Sequence, residues 1–130
     1  MMADPAPGPR MTELPEIPSS FSQAIATRDL DVVRDGRTSG LRIEIGQPVQ
    51  DVATVTGMDW RCPLRLQEDG GEVRLRSACG IDAYQALRLA FDLVAQELGE
   101  ITATGARLRF LDCPYDVASG LPDPGMPPPG

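Results

Sequence analysis

The chain has 130 residues, 42% of them hydrophobic and 24% charged, with 13 glycines, 13 prolines and a net charge of −7. That length bounds it to one small domain, and the acidic balance repels nucleic acid and anionic membranes, so any anion-binding role has to rest on a local patch. All 12 basic residues are arginine and histidine is absent, which removes Ser-His-Asp and Cys-His catalysis and every histidine-containing metal site.

Residues 1 to 22 carry five prolines and few large apolar side chains, and are expected to form a disordered arm. The domain is expected over 23 to 111, and 112 to 130, rich in proline and glycine, as a second disordered tail. Within the domain, "AIATRDLDVV" alternates with Ala26, Leu30 and Val32 on one side and stops at "RDGRTSG". "LRIEI" alternates with Leu41, Ile43 and Ile45 inward, so the two segments predict a hairpin. Gly46 to Met58 reads as a long loop holding at most a short strand near Val52 to Val55.

"DWRCPLRLQ", "EDGG" and "EVRLRSACG" predict a second hairpin, since Asp-Gly favours a two-residue type I′ turn. Trp60, Cys62, Leu64 and Leu66 share one face of its first strand, and Val73, Leu75, Ser77 and Cys79 one face of its second. A turn at Gly70-Gly71 sets Cys62 opposite Cys79; a turn at Asp69-Gly70 sets it opposite Ser77. Either register makes the two thiols near neighbours on the core face. Pro63 lacks an N–H, which points to an edge or bulge there.

Asp82 and Gln85 fit a D-x-x-Q helix cap, with Ile81 and Ala86 as a hydrophobic staple. From Ala83 to Leu98 an apolar stripe repeats at helical spacing, and Gly99 suits the position just past the helix end. "ARLRFL" alternates again as a last strand. The expected fold is therefore α+β: an antiparallel sheet of four to five strands, order ββββαβ, with one long helix packed on one face.

Cys79, next to a helix start, invites a reactive-thiol reading, but its apolar neighbours favour a buried, inert thiol. Trp60 and Cys62 are expected in the core. The carboxylates Asp29, Asp31, Glu44, Glu68, Asp69 and Glu72 contain no spacing that selects an acid/base pair. The cysteines at 62, 79 and 113 lack metal-site spacing and suit a reducing compartment, and no apolar run approaches the ~20 residues that span a bilayer. No cofactor, metal, nucleic-acid or membrane partner is expected, and a cytoplasmic location is. One constellation is less ordinary: Arg42, Arg61, Arg65, Arg74, Arg76, Arg107 and Arg109 all fall at outward strand positions, as an arginine-rich face that suits an acidic segment of another protein or a phosphate-bearing ligand, or else is a solvated sheet face partly neutralised by Glu44 and Glu72.

With "IATRDL" opening the first strand, "DWRC" the third and "GIDAYQALRLA" the helix, residues 24 to 111 resemble a family of small bacterial proteins described only as a domain of unknown function. The resemblance implies the same α+β fold and brings no activity, cofactor or catalytic residue. The functional expectation is a non-enzymatic protein-interaction module, of accessory or immunity type, acting through the arginine face or a strand edge and able to form a homodimer. The alternative is a small enzyme or ligand-binding protein using Cys79 or a carboxylate pair.

Overall fold

The structure, a computed structural model, describes residues 14–123. Among the described residues five strands precede the single helix: β1 (Ala24–Arg34), β2 (Arg37–Gly46), β3 (Val49–Thr54), β4 (Gly57–Glu68) and β5 (Arg74–Gly80). The helix α1 (Ala83–Ala103) is followed by β6 (Arg107–Phe110), β7 (Cys113–Asp116) and β8 (Leu121–Pro122). The fold is α+β with an antiparallel sheet, but it has eight strands in place of four to five, and three of them follow the helix. Residues 112 to 123, expected as tail, instead form β7 and β8, and Tyr115 and Val117 pack against the core. Most of the expected N-terminal arm and residues 124 to 130 lie outside the described residues.

The β1–β2 connection is a two-residue turn, Asp35-Gly36, with both φ values positive (49° and 75°) between the paired Arg34 and Arg37. That is the backbone an Asp-Gly hairpin adopts. β4 is the long central strand. Along one side it takes β2 (Ile45 opposite Leu64) and then β3 (Val49 opposite Arg61); along the other it takes β5. Pro63 is therefore not on an edge strand. It faces the break between β2 and β3, where no ladder partner stands on that side.

The second hairpin differs from both predicted registers. Arg61 pairs with Cys79, Cys62 with Ala78 and Leu64 with Arg76. The turn is built around Gly70 (φ 74°), with Gly71 N–H bonded to Glu68 O at 2.9 Å, so an odd-numbered loop replaces the two-residue one. A slip of one residue sends every side chain of β5 to the opposite face. Ala78, Arg76 and Arg74 accordingly face the helix side, while Leu75, Ser77 and Cys79 lie on the other. Cys62 and Cys79 are on opposite faces and do not neighbour each other across the ladder.

α1 begins where Gln85 N–H donates to Asp82 Oδ1 (2.7 Å) and Gln85 Oε1 accepts from Ile81 N–H (2.8 Å). The expected staple does not form, because Ile81 points into solvent. The helix also passes Gly99 and ends at Thr104, whose N–H returns to Ile101 O. It packs on β4 and β5. Leu30, Val32, Leu41, Ile43, Ile45, Cys62, Leu64 and Leu66 form the sheet side of the core, and Ala86, Ala90 and Leu98 the helix side. Among the described residues no helix is long and apolar enough to cross a membrane.

Candidate functional site

The seven arginines do not make one exposed cationic face. Strand alternation keeps Arg42, Arg61, Arg65, Arg107 and Arg109 on the face away from the helix, but the register of β5 moves Arg74 and Arg76 to the helix side. There Arg76 bonds Glu97 Oε1, and Arg74 Nη2 lies 2.9 Å from Glu97 Oε2 without an aligned hydrogen bond. Glu97 is fully buried, so the two guanidinium groups bracket a carboxylate within the apolar stripe of α1.

On the other face Arg42 is bidentate to Asp29 (2.9 and 3.2 Å), and holds that carboxyl below its ordinary pKa. Arg65 bonds Glu44 at 2.8 Å, with its guanidinium 4.0 Å from the Phe21 ring centre. Arg61 is 1% exposed. It is bidentate to Asp51 (3.0 and 2.9 Å), donates to Ser20 O at 2.7 Å, and ties the segment before β1 to the sheet. Arg109 Nη2 donates to Asp112 O at 3.0 Å. Pairing of this kind neutralises a cationic face and fixes its geometry.

Burial favours the protonated thiol at Cys62 and Cys79. Cys62 is fully buried beside Gly46 O, and burial pushes its pKa up to about 11. Burial also raises Cys79, with Arg61 opposing. An activated thiol needs the reverse shift. Trp60 packs against the core cluster, beside Cys62, Leu64 and Leu66 on the helix side of β4.

A different place has the form of a binding site. α1 sits over β4 and β5, and on the helix-side face of β1 and β2 burial is complete at Leu30, Leu41, Ile43 and Ile45 but fails toward Ala26 and Arg28. The β7–β8 segment rises on its far side. Between them runs a groove of about 560 Å³, within the range of small-molecule sites. Ile43 and Ile45 floor it; Val94, Leu98 and Phe91 line the helix wall; Tyr115, Val117 and Leu121 line the opposite lip. Phe91 and Leu121 remain more than half exposed, and Ala26, an inward position, is exposed because nothing covers it.

One cation enters this apolar surface. Arg28 follows Ala26 and precedes Leu30 in the inward series of β1, so its side chain lies on the groove side. Its guanidinium carbon is 4.5 Å from the Phe110 ring centre and 6.0 Å from that of Tyr115, and the two rings meet edge to face. Nη1 donates to Tyr115 Oη at 3.3 Å and to Gly120 O. Among the described residues, no carboxylate pairs with Arg28, and its Nε and Nη2 have no hydrogen-bond partner. Cation–π contact and two neutral acceptors hold the side chain in place while two donors stay available.

Neither Arg28 nor Tyr115 is among the residues that the sequence patterns single out. Arg28 had a signal: it is the polar member of an otherwise apolar inward series, Ala26, Leu30 and Val32. Glu97 had the same kind of signal, as a carboxylate three and four residues from Val94 and Leu93 in the helical stripe.

The family described as Domain of unknown function (DUF6968) matches residues 26–120, and the chain belongs to it. No curated protein and no solved structure matches.

Proposed function

We propose that this member of the DUF6968 family is a non-enzymatic binding module, and that its recognition site is the groove between α1 and the β7–β8 lip rather than the arginine face. The observation that carries the reading is a mostly apolar concavity of about 560 Å³ with a single cation anchored at its wall. Apolar lining with a few placed polar groups is the usual composition of a binding pocket. The pairing of Arg42, Arg65, Arg74 and Arg76 with carboxylates supports moving recognition away from those side chains. The raised thiols support a role without covalent chemistry. The test is titration with Nile red, a neutral dye that brightens in apolar surroundings. Saturable one-site binding is expected, and Ala26→Trp, which fills the groove from an exposed position, is expected to weaken it at least tenfold. Unsaturable binding, or equal binding to A26W, sinks the reading.

A second reading keeps a protein partner at a strand edge. Among the described residues β5 is bonded only to β4, and Val73 (51% exposed), Leu75 (39%) and Ile81 (74%) lie in or next to it in the chain. An open edge with apolar flanks accepts a partner strand. Crosslinked capture should then recover a partner that Leu75→Glu no longer captures; equal capture by both rules the edge out.

A further inference from the structure

We propose that the ligand of the groove is a small amphipathic carboxylate, with its anionic head on Arg28 and its hydrocarbon portion along Ala26, Phe91, Val94 and Leu121. This deepens the groove-binding reading and rests on it. Three features of the site lead to a carboxylate. First, Arg28 is the cation of the groove lining, and among the described residues its Nε and Nη2 have no acceptor. An arginine presents two adjacent N–H groups in a plane, which matches a carboxylate's two oxygens. Second, the guanidinium is already oriented by Phe110, Tyr115 and Gly120, so little side-chain freedom remains to be lost on binding. Third, Asp92 stands on the helix side of the same groove. It repels an anion there and leaves the strand side, at Arg28, as the place for the head group. On a protein of net charge −7, a guanidinium without a carboxylate partner contrasts with Arg34, Arg42, Arg61, Arg65, Arg74 and Arg76, all of which have one.

The rest of the lining sets the remainder of the ligand. Apolar surface attracts hydrocarbon in proportion to the area removed from water, so each added pair of methylenes should raise affinity by roughly tenfold until the groove is filled. Because the groove is open along its length, the far end of the ligand is not restricted to one group, but the head is.

The experiment uses the full chain and three probes of equal length: decanoate, decan-1-ol and decylamine, each displacing Nile red. Decanoate is expected to bind at least tenfold more tightly than decan-1-ol, and decylamine more weakly than either. Arg28→Gln should lower decanoate affinity at least tenfold and leave decan-1-ol within about twofold, since only the charge-assisted bonds are removed. Should R28Q fail to fold, Arg28→Lys takes its place; it keeps the charge without the planar fork, and is expected to lose a good part of the preference for decanoate over decan-1-ol. Equal affinity of the unmodified chain for decanoate and decan-1-ol overturns the proposal and leaves the groove as an apolar binding site. Failure of all three probes and of the dye overturns both.

Discussion

Gly80 closes β5 just before the helix, and the reason it is glycine is contact rather than turn conformation. Its φ is not positive. A Cβ built there would lie 2.6 Å from Ala86 N, and 3.0 Å from both Gln85 C and Gln85 Cβ. Carbon contacts are comfortable at about 3.5 to 4.0 Å, so Gly80→Ala must open the strand–helix junction by about an ångström. The nearest obstacle is backbone, which cannot rotate away. Overpacking of a tight site costs about 1 to 3 kcal/mol. Shifting the first helical turn also strains the Asp82–Gln85 cap, worth about 0.5 to 2 kcal/mol. Together these predict a loss of about 2 to 4 kcal/mol, or a fall of about 1 to 2 M in the urea midpoint at an ordinary denaturant slope. Urea unfolding followed by the fluorescence of Trp60, the single tryptophan, reads this directly. Gly99→Ala supplies the contrast: Gly99 is inside α1 with no atom within 4 Å of an added Cβ, so that change should stabilise by about 0.5 to 1 kcal/mol through helix propensity. A G80A midpoint within ~0.2 M of the parent would show that the junction is not close-packed, and would refute the expected overpacking.

Two further outcomes follow from single residues. Leu111 (φ 53°, 72% exposed) and Asp112 (φ 61°) form the turn between the paired Phe110 and Cys113; a bulky residue in that conformation is strained, so Leu111→Asn should stabilise by about 0.5 to 1 kcal/mol in thermal unfolding, and an unchanged or lower Tm counts against it. Glu68 is held below its ordinary pKa of 4.5 chiefly by its bond to Arg34, with Ser39 adding a second. Its folded pKa is depressed, so its contribution is present above about pH 4.5 and is lost as the pH falls through the folded value. Urea midpoints at pH 7 and pH 3 should differ less for Glu68→Gln than for the parent, by at most about 1 kcal/mol because the pair is partly exposed; identical pH dependence in both refutes it.

How much of this was legible in the sequence depended on whether a local signal had one structural solution. The β1–β2 hairpin did: clean alternation on both sides of Asp35-Gly36 leaves one register. The second hairpin did not, because "EDGG" permits loops of two or three residues and both strands carry arginine on one parity and apolar side chains on the other. The observed odd-numbered loop places Ala78 and Gly80 under the helix, where Gly80 is needed for close approach, and lets Arg74 and Arg76 reach Glu97. Exposed Leu75 and Val73 are the consequence. The β6–β7 hairpin had no signal of its own, since Leu111-Asp112 performs a turn usually marked by Asn-Gly, and proline at 114 and 122 made the segment read as tail.

The missed strands are also why the groove was not foreseen. A helix is about 10 Å across and strands are spaced about 4.8 Å apart, so one helix covers two or three strands. A sheet of four or five strands would leave one to three strands beyond α1, and each further strand widens that margin. Running from β5 through β4, β2, β1, β6 and β7 to β8, this sheet is too wide for one helix, and α1 lies at the β4–β5 end of it. The face of β1 and β2 beyond the helix then has to be covered in some other way: by the β7–β8 lip, by polar substitution, or by a ligand. Along the groove, β1 takes the polar course at Arg28 and leaves Ala26 apolar beside it, over the buried Ile43 and Ile45 of β2. An anchored cation that pairs with no carboxylate among the described residues, set beside exposed apolar side chains, is what links the excess width of the sheet to the proposed binding role.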